Sequence, residues 1–376
     1  MKKPLIPPLL LFLMLIKACG PTTDPTNKQE NMNIAKKLEI FTLTNKDGAE
    51  VKITNLGGKI MALKVPDKNG TLGDVVLGYE HPEAYINGNP YFGALIGRYA
   101  NRIEQGRFTL DSNTYQLPTN DGPHHLHGGP GGFHNVIWDV EPVPGMESQK
   151  LKLTYLSVNG EQGYPGNLKV KVHYTWTDNY ELRIDYLAAT DRKTIVNLTH
   201  HAFFNLKDGG ESSILDHQMM INAGHFTPVD SGLIPTGEIR SVKGTPMDFT
   251  DPKRIGADIE KDGRQLAHGK GYDHNWVLDQ QEEKDSLRLA ARVYEPTTQR
   301  VMEVYTTEPG LQFYSGNFLD GSDVGKDSTV YEHRNAFCLE AQHFPDSPHH
   351  PNFPSTVLKP EEKYTQTTIY KFSTKK

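Results

Sequence analysis

Five short segments gather the residue types that could do chemistry. They are Gly97-Arg98-Tyr99-Ala100-Asn101-Arg102-Ile103, His124-His125-Leu126-His127-Gly128-Gly129, Asn197-Leu198-Thr199-His200-His201-Ala202-Phe203-Phe204-Asn205-Leu206, Gly271-Tyr272-Asp273-His274-Asn275-Trp276 and Phe337-Cys338-Leu339-Glu340-Ala341-Gln342-His343-Phe344-Pro345-Asp346. Each sets a few ionisable groups in an apolar frame. Three chemistries compete. His124, His125, His127, His200 and His201 could supply a zinc site, but neighbouring histidines in a strand point to opposite faces, and neither HExxH nor CxxC is present. A carboxylate pair for glycoside hydrolysis could combine Glu340 with Asp273 or Glu308, and the spacing selects neither partner. A Glu/His acid–base pair could take a proton from a hydroxyl while an imidazole gives one to another oxygen.

The elements that must position these groups read as strands. Val170, Val172, Tyr174 and Trp176 alternate with Lys169, Lys171, His173 and Thr175, and Leu182, Ile184 and Tyr186 alternate with Arg183 and Asp185. Such a period of two buries one face and leaves the other to water or a ligand. Residues 38–43 and 51–56, joined through Asn45-Lys46-Asp47-Gly48, predict a hairpin. Only residues 255–266 could hold a short helix. The run Gly128-Gly129-Pro130-Gly131-Gly132 lacks the Lys-Ser/Thr ending of a phosphate loop and reads as an ordinary loop. In a strand, Leu339 and Glu340 point oppositely, so Glu340 can enter a cleft while its neighbours pack. An unpaired carboxylate in such a frame is costly to bury without a purpose. The expected architecture is all-β: one large, mostly antiparallel sandwich with few short helices.

Composition narrows the partners. Among 376 residues, Lys+Arg 40 against Asp+Glu 46 leaves a net charge of −6, which argues against a nucleic-acid binder. Gly 34 and Pro 25 supply many turns, and two cysteines cannot frame a chain of this length with disulfides. Lys2 and Lys3 precede an apolar stretch over 5–16, and Ile16-Lys17-Ala18-Cys19-Gly20 resembles a bacterial lipoprotein signal. The expectation is a signal peptide over 1–18, lipid on Cys19, a Pro/Thr/Asn-rich tether over 19–33, and an exported protein, periplasmic or membrane-anchored, whose domain spans 34–376. Cys338 would then stand alone.

Taken together, the segments resemble the aldose 1-epimerase (galactose mutarotase) family. The likeness extends over about residues 38–372. It includes Asn55-Leu56-Gly57-Gly58, Gly73-Asp74-Val75-Val76-Leu77-Gly78, Gly160-Glu161-Gln162-Gly163-Tyr164-Pro165-Gly166 and Pro309-Gly310-Leu311-Gln312-Phe313-Tyr314-Ser315-Gly316-Asn317. The resemblance implies a β-supersandwich that interconverts the α- and β-anomers of free aldoses such as glucose and galactose. Glu340 would be the general base on the C1 hydroxyl and His201 the general acid on the ring oxygen. His127, Arg102 and Asp273 would bind the aldohexose, with Asn101, Gln312 and Tyr314 lining the pocket. Only protons move, so neither a metal nor a cofactor is called for.

The chain departs from the family's usual pattern at His200 and at Ala202, which is commonly Ser. A non-catalytic carbohydrate-binding lipoprotein on the same scaffold is the alternative. An epimerase of phosphorylated sugars would need more basic residues at the pocket, and Arg98 is the one nearby candidate. His124, His125, His349 and His350 read as solvated loop residues, and Trp276 and Phe204 as core rather than as sugar platforms.

Overall fold

The computed structural model describes residues 34–35, 37–89, 91–144, 148–279 and 286–375. The leader, Cys19 and tether expected over 1–33 lie outside them.

The alternating runs form the long strands of a nine-stranded antiparallel sheet. In spatial order its strands are Asp139–Val143, Ser148–Ser157, Leu168–Thr177, Glu181–Thr190, Tyr364–Thr374, Arg300–Thr306, Arg288–Tyr294, Gln218–Ile221 and Lys253–Arg254. Along Leu168–Thr177 every second residue is buried, and Val170, Val172, Tyr174 and Trp176 enter the core. Burial of each large apolar side chain contributes about 1.5–3 kcal/mol, so alternation fixes which way the strand faces. The hairpin of the N-terminal region is present as Ile40–Thr44 paired with Glu50–Thr54, within a four-stranded sheet. The segment 255–266 holds a 3-10 turn, Ile255–Ala257, and the start of an α-helix, Arg264–Gly269.

A five-stranded antiparallel sheet carries the chemistry. Its order is Arg240–Ser241, His225–Thr227, Asp273–Val277, Gly310–Tyr314, Cys338–Gln342. Directly opposed residues of neighbouring antiparallel strands share a face. The register sets Asp273 opposite Tyr314 and Tyr314 opposite Cys338, then Asn275 opposite Gln312 and Gln312 opposite Glu340. Asp273, Tyr314, Gln312 and Glu340 therefore project from one face. Leu311, Phe313, Leu339 and Ala341 occupy the other, in the main core. Trp276 and Phe204 are fully buried there too, as expected of core aromatics.

Burial also makes the fold acid-sensitive. Desolvation lowers His134, His200 and His274 from 6.5 to about 3, and His125 and His217 to about 4. A group with a lowered folded pKa takes its proton in the unfolded chain first. Its contribution is whole above about 6.5 and is lost as pH falls toward the folded value. Glu340 and Asp273, both raised by burial, act in the opposite sense but are fewer. The melting temperature should therefore fall steeply between pH 6.5 and pH 4. A thermal melt at pH 4.5 equal to that at pH 7 would contradict this.

Candidate active site

Two small pairings bring the remaining groups to the mouth of the five-stranded sheet. Thr199–His201 pairs with Ala94–Ile96, and successive residues alternate. His201 faces the cleft. His200 turns into the core against the rings of Tyr174 and Tyr370, so it is a fully buried residue and takes no place in the site. Arg102–Ile103 pairs with His125–Leu126. The chain then turns sharply: His127 has φ 51° and Gly128 φ 82°. A Cβ on Gly128 would lie 1.9 Å from the Gly97 carbonyl oxygen, so only glycine fits the turn that aims His127 inward. The Asn101 N–H donates to His127 Nδ1 at 3.2 Å, which leaves Nε2 to carry the hydrogen toward the cleft.

The cleft has a volume of about 240 Å³, a little below the range of drug-sized sites and suited to a small ligand. Asn101, Arg102, His127, His201, Asp273, Tyr314 and Glu340 line it. Of the residues expected from the sequence, Gln312 alone stands behind the wall: its Nε2 donates to Asp273 Oδ1 at 2.7 Å and holds that carboxylate in place. Arg102 Nε donates to Asp121 Oδ2 at 2.7 Å, so it is both an ion-pair residue and a pocket residue. Tyr314 Oη accepts from the Phe318 N–H at 2.8 Å.

His201 Nε2 lies 3.6 Å from Glu340 Oε1, and both side chains are almost fully buried. Glu340 Oε2 is enclosed by protein and has no hydrogen-bond partner among the described residues, while Oε1 is the oxygen that faces His201. Burial, followed by the neighbouring Asp273, pushes Glu340 well above the usual carboxylate range, and Arg102 opposes this. Burial lowers His201 to about 3. By itself the protein therefore favours the neutral carboxyl and neutral imidazole. A hydroxylated ligand donating hydrogen bonds to the carboxylate shifts the balance toward the charged pair. The arrangement can take a proton at one oxygen and deliver one to another.

Several site residues escaped the sequence reading. The His201 ring lies nearly parallel to Phe203, with centroids 4.9 Å apart, and to Tyr91 at 5.6 Å. Tyr91 also packs on His127 at 4.9 Å. These rings fix the imidazoles. Phe203 was accessible to the alternation rule, being two residues from His201; Tyr91 precedes its strand and carries no such signal. Asn89, Leu126, Phe318 and Leu319 complete the wall.

Three expectations are corrected. His125 is buried, not solvated: its ring nitrogens meet the Pro118 carbonyl and the Tyr164 hydroxyl, both at 2.6 Å. His349 is exposed as expected, but His350 is half-buried, and both are drawn into a cluster around Asp346. Arg98 is no pocket cation. Its guanidinium is buried and donates to Ser157, Pro165 and Gly166, which anchors the Gly160–Gly166 segment.

Among the described residues, two groups have metal-donor chemistry. His127, His201 and Glu340 offer atoms within 4.8 Å of one another, as do Glu104, Asp346 and His349.

Comparison with known proteins bears directly on this geometry. The family model described as aldose 1-epimerase matches residues 39–371. A galactose mutarotase from Bos taurus is 46% identical over 339 residues, 90% of this chain and 95% of its own. An aldose 1-epimerase from Escherichia coli K12 is 37% identical over 335 residues, 89% of this chain and 94% of its own. Among solved structures, the GalM/aldose epimerase homologue from C. elegans superposes with a TM-score of 0.81 at 29% identity, covering 90% of this chain and all of that one. The expected export is overturned by these relatives: the mammalian galactose mutarotases that the chain matches over about nine-tenths of its length are cytosolic enzymes. The fold, the site and the length of these matches agree: the chain belongs to the aldose 1-epimerase family, a family of isomerases.

Proposed function

We propose that a single domain over residues 34–376 interconverts the α- and β-anomers of free aldohexoses, galactose and glucose among them, with Glu340 as general base and His201 as general acid. The observation that carries this reading is the 3.6 Å juxtaposition of His201 Nε2 and Glu340 Oε1 in the wall of one cleft.

The steps follow from that geometry. O1 and the ring oxygen are both bonded to C1, so an acid and a base a few ångströms apart reach both. Glu340 takes the proton of the C1 hydroxyl as the C1–ring-oxygen bond breaks and the C1 carbonyl forms. His201 gives its proton to the departing ring oxygen. Rotation about C1–C2 presents the other carbonyl face. The ring oxygen then attacks C1, His201 recovers the proton and Glu340 returns one to O1. The product is the opposite anomer and the enzyme is restored.

His127, with its Nε2–H toward the cleft, donates near the reacting oxygens and steadies charge developing there. Arg102 and Asp273 form directional hydrogen bonds to the remaining hydroxyls, and Asn101 and Tyr314 shape the walls. Gln312 acts through Asp273. With Arg98 committed to the 160–166 segment, the pocket keeps Arg102 as its one arginine among the lining residues, which fits a neutral sugar better than a phosphorylated one. Polarimetry on freshly dissolved α-galactose and α-glucose tests the proposal. The expected result is a faster approach to the equilibrium rotation in proportion to enzyme; a rate equal to buffer for every common aldose would overturn it.

A further inference from the structure

Glu104, Asp346, His349 and His350 play no part in the reaction just described, yet they are arranged with care. Asp346 adopts φ 56°, and its side chain is 1% exposed. Its N–H donates to the Arg102 carbonyl at 2.9 Å. Its Oδ1 accepts from the Glu104 N–H at 2.9 Å and lies 2.7 Å from His349 Nδ1. The other oxygen is the anomaly. Oδ2 is buried and makes no well-formed hydrogen bond among the described residues, and the same holds of His350 Nε2, which lies 3.4 Å away. The two atoms face each other as a long, poorly aligned pair, a weak contact for a buried carboxylate, and an ion bound by both would replace it with two short bonds.

The donor types say which species. Imidazole nitrogen and carboxylate oxygen are zinc ligands, with bonds of about 2.0–2.2 Å, so adjacent ligands of a tetrahedral ion stand about 3.4 Å apart. The Asp346 Oδ2–His350 Nε2 separation matches one edge of that tetrahedron. Glu104, Asp346 and His349 bring donor atoms within 4.8 Å of one another, close enough to contract around the same centre. The His349 side chain is 31% exposed, so an ion can enter from water.

We propose that Glu104, Asp346, His349 and His350 form a binding site for a divalent transition-metal ion of zinc type, which fastens the 346–350 segment to the backbone that presents Arg102. The site is separate from the catalytic cleft, and the reaction does not route through it. Metal would hold the Arg102–Glu104 backbone, already tied to Asp346 by two hydrogen bonds, more firmly in place.

Zinc titration of the full chain by calorimetry, repeated on three variants, tests this. The expected result is one ion per chain, with affinity reduced at least tenfold in His350→Ala and in Glu104→Gln and retained in Glu340→Gln, which alters the other donor trio. Loss of a single metal ligand or its orienting partner commonly costs about 10–100-fold in affinity. Thermal melts of the metal-free variants check folding. If His350→Ala does not fold, Glu104→Gln, at a solvent-reachable side chain, decides alone. Absence of zinc binding, binding indifferent to the Glu104 and His350 changes, or binding abolished by Glu340→Gln would each overturn the proposal.

Discussion

Glu340→Gln should bind galactose within a few-fold of the unaltered protein and turn it over about 10²–10⁴ times more slowly, the usual range for loss of a positioned general base. The change is nearly isosteric in a fully buried position, so packing is preserved. The amide accepts a hydrogen bond but not a proton. The loss should therefore fall on kcat rather than on KM. Stability should hold, because the variant removes a carboxyl that burial and Asp273 already disfavour in its charged form. Calorimetry gives the affinity and polarimetric initial rates give the turnover. Undiminished turnover would refute the assigned base.

His201→Gln should lose a comparable factor, about 10²–10⁴, because the amide cannot give up and recover a proton at the ring oxygen. The more telling quantity is the double variant. Two groups 3.6 Å apart that serve one concerted transfer act as a unit. The Glu340→Gln/His201→Gln protein should be slower than the worse single variant by about tenfold at most. Independent contributions would multiply to about 10⁴–10⁸. Multiplicative losses would separate the two residues into unrelated roles. The control is His200→Gln, one residue away, whose ring packs against Tyr174 and Tyr370 on the other side of the strand. It should disturb stability before it disturbs the chemical step.

The strands were legible because hydrophobic burial writes a period of two into the chain. The alternation at 168–177 and 181–190 is reproduced residue by residue in the burial of those strands. The all-β architecture and the five polar segments followed from the same reading. What joins the segments is register, which no local pattern encodes: Gln312 meets both Asn275 and Glu340 only because three strands align to the residue. Hence Gln312 was expected at the pocket surface and instead braces Asp273 from behind. The histidines near Gly and Pro misled for a related reason. Their loop-like neighbourhoods gave no sign of partners far along the chain, such as Tyr164 for His125, or of a ring folded back onto Asp346 in the case of His349. Tyr91 was invisible, since an aromatic outside any alternating run declares no face. The reading of residues 1–33 as an export signal rested on a dozen apolar residues ahead of a Cys, a pattern too short to outweigh relatives matched over about 90% of the chain.

The central claim is that Glu340 and His201 exchange anomers rather than merely hold a sugar. Anomer-exchange NMR on equilibrated galactose measures this without any change in composition. The account predicts exchange cross-peaks between the α- and β-C1 protons that grow with the concentration of the protein and vanish with Glu340→Gln, while that variant still binds the sugar. Binding of galactose by the unaltered protein with no exchange above buffer would contradict the account and leave a carbohydrate-binding protein on a mutarotase scaffold.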